Sequence, residues 1–431
     1  MSGAVSPARS AAAWVLSRCR RFEAWSAQTA DSARSRFSLS ERDAALCERL
    51  CLDVLQNAAL CDYYIGQYSS LAPEKMEPQV LDALRLGAVQ LLFMDRVPVS
   101  AAVNESVELV KRSQPKAAGL VNAVLRRIAR NRDALPDIPD TGTARELSIR
   151  YSHPLWLCEK LSAAYGYDFA RAYLSANNAP PSLSVTVNLC RTDAVSLAKR
   201  FCDAGLDAAV SPLSPVSVTV RAAGSVTALP GYSRGDFFVQ DAAAALGVTA
   251  AGPAAGMRVL DVCAAPGGKS LLCAGLMGGR GEILACDVHE KKLSLVRENA
   301  ARLGLGCIRT MAMDASAPGE SLHGGFDLVI ADVPCSGLGV IRKKPEIRYK
   351  DPSELERLPE IQRRILRGAA RCVRSGGTLL YSTCTVLREE NEDVVSAFLH
   401  KGPGFVLTEQ RTVWPQDFGT DGFYYALLKK V

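Results

Sequence analysis

The chain has 431 residues, 48% of them hydrophobic, with a formal net charge of +6 and a pI near 8.6. That length and apolar content mark a globular protein with room for two or three domains. The mild positive charge suits a polyanionic partner without requiring one. Fourteen cysteines are diluted over the chain, no pair has Cys-x-x-Cys spacing, and none of the four histidines stands near a cysteine pair in a ligand pattern. A disulfide framework and a structural zinc site are both disfavoured, and no metal is expected. At the N-terminal end the one apolar run, Ala11 to Leu16, is too short for a signal or a membrane span and is followed by Arg18, Arg20 and Arg21. The expectation is a cytoplasmic protein with reduced thiols and no membrane segment.

From Ala8 to Ala134 the pattern is helical, five or so helices in all. Leu81, Leu84, Ala88 and Leu91 recur at steps of three and four, the stripe of a core-facing helix. Pro98 and Pro115 punctuate the segments that follow, and Leu135 to Thr143, with prolines, aspartates and a glycine, reads as a linker. Ser184–Leu189 and Val216–Arg221 alternate as strands on either side of a helix from Asp193 to Ala204. The spacing then predicts strands over 258–262, 282–286, 309–313, 326–331 and 378–382. Helices are expected from Lys269, over 290–303, over 354–373 and over 389–399. Strand and helix units in that order predict a doubly wound parallel sheet. The organisation expected is an all-helical domain over 1–140, a small α+β module over 145–240 and a Rossmann-like catalytic domain over 241–431.

Ligands of such sheets bind beyond the carboxyl ends of the strands, where the unusual residues of this chain lie. The first strand runs into Asp261-Val-Cys-Ala-Ala-Pro-Gly-Gly-Lys-Ser270. A P-loop would need a glycine where Cys263 stands, and the Gly-x-Gly of a dinucleotide fingerprint is missing. Asp287, Asp314 and Asp332 each end a following strand, and a carboxylate about twenty residues past such glycines can accept both ribose hydroxyls. Together they point to S-adenosylmethionine.

Two cysteines, Cys335 and Cys384, each follow an apolar strand at the same edge of the sheet. Methyl transfer to carbon 5 of a pyrimidine needs such a pair. A thiolate adds to carbon 6, which makes carbon 5 nucleophilic, and a base later removes the carbon 5 proton so that the thiol can leave. Asp332 at the ring edge can offset the charge that develops on addition. Transfer to an exocyclic nitrogen needs no thiol. Spacing alone does not say which cysteine attacks.

Ala264-Ala-Pro-Gly-Gly-Lys269, Asp332-Val-Pro-Cys-Ser-Gly337, Ser382-Thr-Cys-Thr385 and Val239-Gln-Asp-Ala-Ala243 resemble the motifs of the RNA cytosine-C5 methyltransferases. Within them, Ala102–Val107 and Gly119–Arg127 resemble the NusB-type RNA-binding domain of the bacterial 16S rRNA (Sun) branch. The resemblance covers nearly the whole chain. It implies Cys384 as nucleophile and Cys335 as the base for product release. It further implies cofactor contacts at Cys263, Ala264, Ala265, Pro266, Gly267, Gly268, Lys269, Asp287, Asp314 and Asp332. Val333 and Leu338 depart from the usual family residues and leave every chemical group in place.

The partner expected is 16S rRNA, free or partly assembled. Transfer RNA as substrate, or a binding-only assembly role, are the alternatives. Lys111, Arg112, Lys116, Arg126, Arg127, Arg130 and Arg132 form a basic stretch, and Arg342, Lys343, Lys344, Arg348 and Lys350 follow the Cys335 loop. Both are read as phosphate contacts, with Tyr349 as a ring on which a base could stack. Carbon 6 is inaccessible in a stack, so the target must be unpaired or flipped out. Nothing in the chain suggests more than a monomer.

Overall fold

The helical periodicity of the first 130 residues resolves into six helices among the described residues: α1 (Pro7–Phe22), α2 (Ser26–Arg36), α3 (Glu41–Tyr68), α4 (Pro78–Phe93), α5 (Val99–Ser113) and α6 (Ala118–Arg130). This computed structural model describes residues 5–22, 26–221, 224–402 and 404–431. Local chemistry sets the helix starts. Ser40 caps α3 by accepting from the Asp43 amide at 3.2 Å, and Pro78 opens α4 where no amide hydrogen is needed. Leu84, Leu86, Ala88 and Val89 of α4 are all fully buried, which makes α4 the central helix of the bundle. No helix among the described residues is long and apolar enough to cross a membrane.

The chain divides into two units. The first holds residues 1–178 together with Lys343–Lys350. It therefore includes α7 (Ala144–Tyr151), α8 (Leu155–Tyr165) and α9 (Tyr167–Ala176), which the sequence reading placed in the middle module. Leu147, Leu157, Cys158, Leu161, Tyr173 and Leu174 bury this trio's apolar faces.

The short segment that belongs to the first unit closes a defect in α3. Asn57 leaves helical geometry at φ −124°, ψ 16°, so the ladder bond from the Leu60 amide to the Gln56 carbonyl is absent. The Leu60 amide donates to Ser152 Oγ instead, at 2.9 Å, and the Gln56 carbonyl accepts from Arg348 Nη1 at 2.8 Å. Arg348 also donates to the Ser152 carbonyl at 3.0 Å and to Asn178 Oδ1 at 2.6 Å, and only 2% of its surface is exposed. Burial pulls the guanidinium down to about 10. Arg348 is thus an internal plug, unable to reach a phosphate as the sequence reading expected. The Tyr349 hydroxyl, beside it, donates to the Leu55 carbonyl at 2.7 Å.

The second unit spans residues 179–342 and 351–431. It opens with β1 (Leu183–Val187), α10 (Ala194–Asp203), β2 (Asp207–Val210), β3 (Ser217–Arg221) and β4 (Phe237–Val239), an antiparallel sheet of order β2-β3-β1-β4. After α11 (Ala242–Ala251) come β5 (Arg258–Asp261), α12 (Gly268–Leu276), β6 (Glu282–Asp287), α13 (Glu290–Leu303), β7 (Ile308–Ala312) and β8 (Phe326–Asp332). Then follow α14 (Pro352–Leu355), α15 (Leu358–Cys372), β9 (Val373–Thr383), α16 (Glu392–Leu399), β10 (Phe405–Val413), α17 (Pro415–Phe418) and β11 (Phe423–Lys430). Pro359, in the first turn of α15, separates it from α14 and splits the helix expected over 354–373.

The large sheet has the order β10-β11-β9-β8-β5-β6-β7. Strands β5 to β9 are parallel, but β11 runs antiparallel to β9 and β10 antiparallel to β11, so the sheet is mixed rather than purely parallel. The edge strand β10 is largely exposed and lacks apolar alternation, which is why no periodicity announced it. Inside, the two faces alternate strictly. Val259, Leu328, Ile330 and Leu380 pack into one core, and Leu260, Val329, Ala331, Leu379 and Tyr381 into the other. The strand order reverses beside β5, between β6 and β8, the kind of switch point beyond whose carboxyl ends the ligands of such sheets bind.

Replacing Arg348 by alanine should leave the Gln56 and Ser152 carbonyls unsatisfied and a void in their midst, at a cost of about 2–4 kcal/mol. Urea titration should show it as an earlier unfolding midpoint and hydrogen exchange as faster exchange at Leu60. An unchanged midpoint would contradict the plug.

Candidate active site

The loop after β5 turns sharply enough to need glycine. Gly267 sits at φ 111°, and a Cβ there would lie 3.2 Å from Val296 of α13. Asp261, at the end of β5, is buried and accepts from Ser270 Oγ at 2.8 Å, which ties the strand end to the first turn of α12. Burial lifts its carboxyl to about 7, against the pull of Ser270 and Lys269. Burial and the carboxylates of Asp261, Asp332 and Asp287 push the Cys263 thiol far up, so it stays protonated.

Asp287 ends β6, with Oδ1 accepting the His289 amide at 2.9 Å, and Val288 beside it is 63% exposed. Asp314, past β7, accepts the Ser316 amide and hydroxyl, each at 2.8 Å, and these bonds hold its carboxyl below the usual range. A glycine cradle, strand-end carboxylates and an exposed apolar residue beside Asp287 fit a nucleoside whose ribose hydroxyls need acceptors. Among the described residues no group of three or more His, Cys, Asp or Glu could hold a metal ion.

Strand pairing brings the thiols together. β8 and β9 run parallel with Asp332 opposite Ser382, so Cys335, three residues past Asp332, and Cys384, two past Ser382, leave the same edge side by side. Their sulfurs are 3.1 Å apart. Asp332 is held on both oxygens, by Ser382 Oγ at 2.7 Å and by Lys269 Nζ at 2.5 Å. The cofactor loop thus sends its lysine to Asp332 rather than leaving it to the ligand alone, a role that the motif spacing did not reveal. The Gly339 amide donates to the Cys384 carbonyl at 2.9 Å, and a Cβ on Gly339 would stand 1.9 Å from the Gly422 carbonyl, so only glycine lets the loop pass there. Val333 and Leu338 are buried packing residues.

The environment of the two thiols is asymmetric. The hydrogen bond from Cys335 pulls the Cys384 thiol below its usual value against burial and the Asp332 and Asp421 carboxylates, with Lys269 helping. Cys335 is pushed well above its usual value by Cys384 first, then by burial, Glu390 and Asp332. Of the two thiols, Cys384 is therefore the more readily ionised and Cys335 the one that holds its proton more tightly.

The basic residues divide differently from the sequence reading. Lys111, Arg112, Lys116, Arg126, Arg127, Arg130 and Arg132 are exposed. Lys111 pairs with Glu108 at 2.5 Å and Arg127 Nη1 donates to the Tyr68 carbonyl at 3.1 Å. Lys344 is exposed and Lys343 half-buried. Arg342, expected on RNA, is instead buried and donates from Nη2 to the Gly419 carbonyl at 2.8 Å.

Comparison with known proteins adds a family. The model described as 16S rRNA methyltransferase RsmB/F matches residues 248–429, the NusB family model matches 6–130, and a ferredoxin-like domain model of RsmF/B-like methyltransferases matches 153–227. A Bacillus subtilis (strain 168) protein described as a probable ribosomal RNA small subunit methyltransferase B is 35% identical over 416 residues, covering 91% of this chain and 92% of its own. The ribosomal RNA small subunit methyltransferase B of Salmonella typhi is 34% identical, with 91% and 92% covered. The crystal structure of PH0851 superposes with a TM-score of 0.81 at 25% identity over 100% of both chains. A methyltransferase homolog from Pyrococcus horikoshii gives 0.60 at 25% identity, over 67% of this chain and 99% of its own.

The raised carboxyl of Asp261 has a sign that can be checked. Between the ordinary 3.8 and about 7 the native state holds a proton that the unfolded chain has lost, so this group's contribution to stability falls as pH rises through that window. Asp261→Asn should therefore gain in melting temperature relative to wild type from about pH 5 to about pH 8. A difference flat in pH would contradict the assignment.

Proposed function

Because the chain belongs to the 16S rRNA methyltransferase RsmB/F family, a family of S-adenosylmethionine-dependent enzymes, we propose that it methylates carbon 5 of an unpaired or flipped-out cytosine in small-subunit rRNA through a covalent adduct on Cys384. One observation carries the reading: two sulfurs 3.1 Å apart at the ends of neighbouring parallel strands, beside the Asp332 carboxylate. The cradle from Cys263 to Gly268, with Asp287 and Asp314, is the part suited to hold the cofactor. S-adenosylmethionine supplies an electrophilic methyl group.

The rest is done by residues of this chain. The Cys384 thiolate forms a bond to carbon 6, and the carbon 5–carbon 6 π electrons move toward the ring's N3. A proton taken from solvent and passed to N3 through the Asp332 carboxyl, which Lys269 and Ser382 fix in place, neutralises the developing charge; N3 returns that proton when the ring double bond re-forms. Carbon 5 is now enamine-like and nucleophilic. Once Cys384 is bonded to carbon it carries no charge, so the largest influence holding the proton on Cys335 is gone. Cys335 gives that proton to solvent and then takes the carbon 5 proton. The electrons of the carbon 5–hydrogen bond re-form the double bond and expel Cys384 as thiolate, which restores the resting pair. The exposed cations of α5 and α6 serve as a sequence-independent phosphate track. Such a substrate assigns the enzyme to the cytoplasm.

Incubated with unmodified small-subunit rRNA and S-adenosylmethionine, Cys335→Ala should accumulate a covalent protein–RNA band on a denaturing gel. Cys384→Ala should give neither band nor product, a loss beyond about 10³-fold. The wild-type product, digested to nucleosides, should contain 5-methylcytidine. Methyl groups on transfer RNA alone, or product from Cys384→Ala, would overturn the reading.

A further inference from the structure

Beneath the two thiols lies a buried polar network whose centre is the dipeptide Glu390-Asn391, in the turn that leads from β9 into α16. Glu390 is 2% exposed and Asn391 1%. Glu390 Oε2 accepts the Ser336 amide at 2.9 Å and Gln362 Nε2 at 2.8 Å, and Gln362 donates also to the Pro334 carbonyl at 3.0 Å. The peptide groups on both sides of Cys335 are thus gripped. Asn391 does the same for the other thiol. Its Oδ1 accepts from Thr383 Oγ1 at 2.6 Å, and its Nδ2 donates to the Thr385 carbonyl at 3.2 Å, the two residues that flank Cys384. Ser336 Oγ and Thr385 Oγ1, 2.7 Å apart, link the two grips, and the Tyr381 hydroxyl donates to the Glu390 carbonyl at 2.6 Å.

Resting on the two-thiol reading above, we propose that Glu390 and Asn391 are the positioning residues of the thiol pair: Asn391 fixes Cys384 for attack, and Glu390 fixes Cys335 beside it. Adjacent residues hold one cysteine each, so the peptide bond between them sets the spacing of the sulfurs. A structural purpose alone explains the carboxylate poorly. Glu390 Oε1 is buried without a hydrogen-bond partner, a costly arrangement that an apolar residue would avoid. What the charge does is face Cys335. The other ionisable groups acting on Cys335 are Cys384, Asp332 and Tyr381, and Lys269 acts on Cys384 from the far side. A base that must take a proton from carbon needs a proton affinity suited to the working pH, and Glu390 is one of the groups that set it for Cys335.

The first part of the test needs no RNA. Each thiol in the full-length protein is alkylated with iodoacetamide across a pH series, and each site is read by peptide mass spectrometry. Glu390→Gln preserves the shape and an acceptor for the Ser336 amide. It should move the midpoint of Cys335 alkylation down by about one pH unit, with Cys384 and the melting temperature little changed. Asn391→Ala should lower the rate of Cys384 alkylation several-fold and leave the Cys335 midpoint in place. In the Cys335→Ala background it should slow adduct appearance by about tenfold. Equal shifts at both thiols in either variant, or no shift at all, would overturn the proposal. Failure of Cys335→Ala alone to form any adduct would sink the two-thiol mechanism instead, while the alkylation profiles would still decide the roles of Glu390 and Asn391.

Discussion

A 3.1 Å contact between two sulfurs is the constraint on which the second unit is organised. Two thiols side by side titrate as a pair, and whichever group breaks the symmetry decides which is nucleophile and which is acid. Here the hydrogen bond between them, with Lys269 acting on Cys384 and Glu390 on Cys335, lowers the proton affinity of Cys384 and raises that of Cys335. The same lysine clamps Asp332, which couples the loop after β5 to the end of β8 through one ion pair. Parallel pairing of β8 and β9 provides the alignment, and glycine at 339 lets the Cys335 loop pass close beneath Cys384.

Much of this was legible in the sequence because chemistry at strand ends leaves sharp marks. Asp261 to Ser270, Asp332 to Gly337 and Ser382 to Thr385 each join an apolar run to residues that no core needs. The alternation of strand and helix alone places them on one edge of the sheet. What stayed hidden was of two kinds. Glu390 and Asn391 follow Arg388 and Glu389 in a run that reads as a solvated helix start, and only the tertiary fold turns two of these polar side chains inward. β10 is legible only in the structure because it is exposed, and β11 because its run of buried apolar residues lacks alternation, although Asp421-Gly422 marks a turn before it.

The basic residues show the limit from the other side. Arg348 and Lys344 are near neighbours in a cationic run, yet one is exposed and the other fills a helix defect, accepted by carbonyls that a kinked α3 and the turn after α7 leave open. Charge counts along a sequence cannot separate these fates, since the demand for a donor arises from segments about 200 and 300 residues away. The exposed cations of α5 and α6 keep the character the sequence suggested, and the amphipathic periodicity of those helices explains why: their apolar faces were already committed to the bundle.

The most direct test of the account is to present the wild-type protein with small-subunit rRNA transcribed with 5-fluorocytidine, together with S-adenosylmethionine. Fluorine in place of the carbon 5 proton leaves addition and methyl transfer possible but gives the base nothing to remove. The account predicts a stable covalent complex whose digested peptide carries the nucleotide on Cys384. A complex formed through Cys335, or none while ordinary rRNA is methylated under the same conditions, would contradict it.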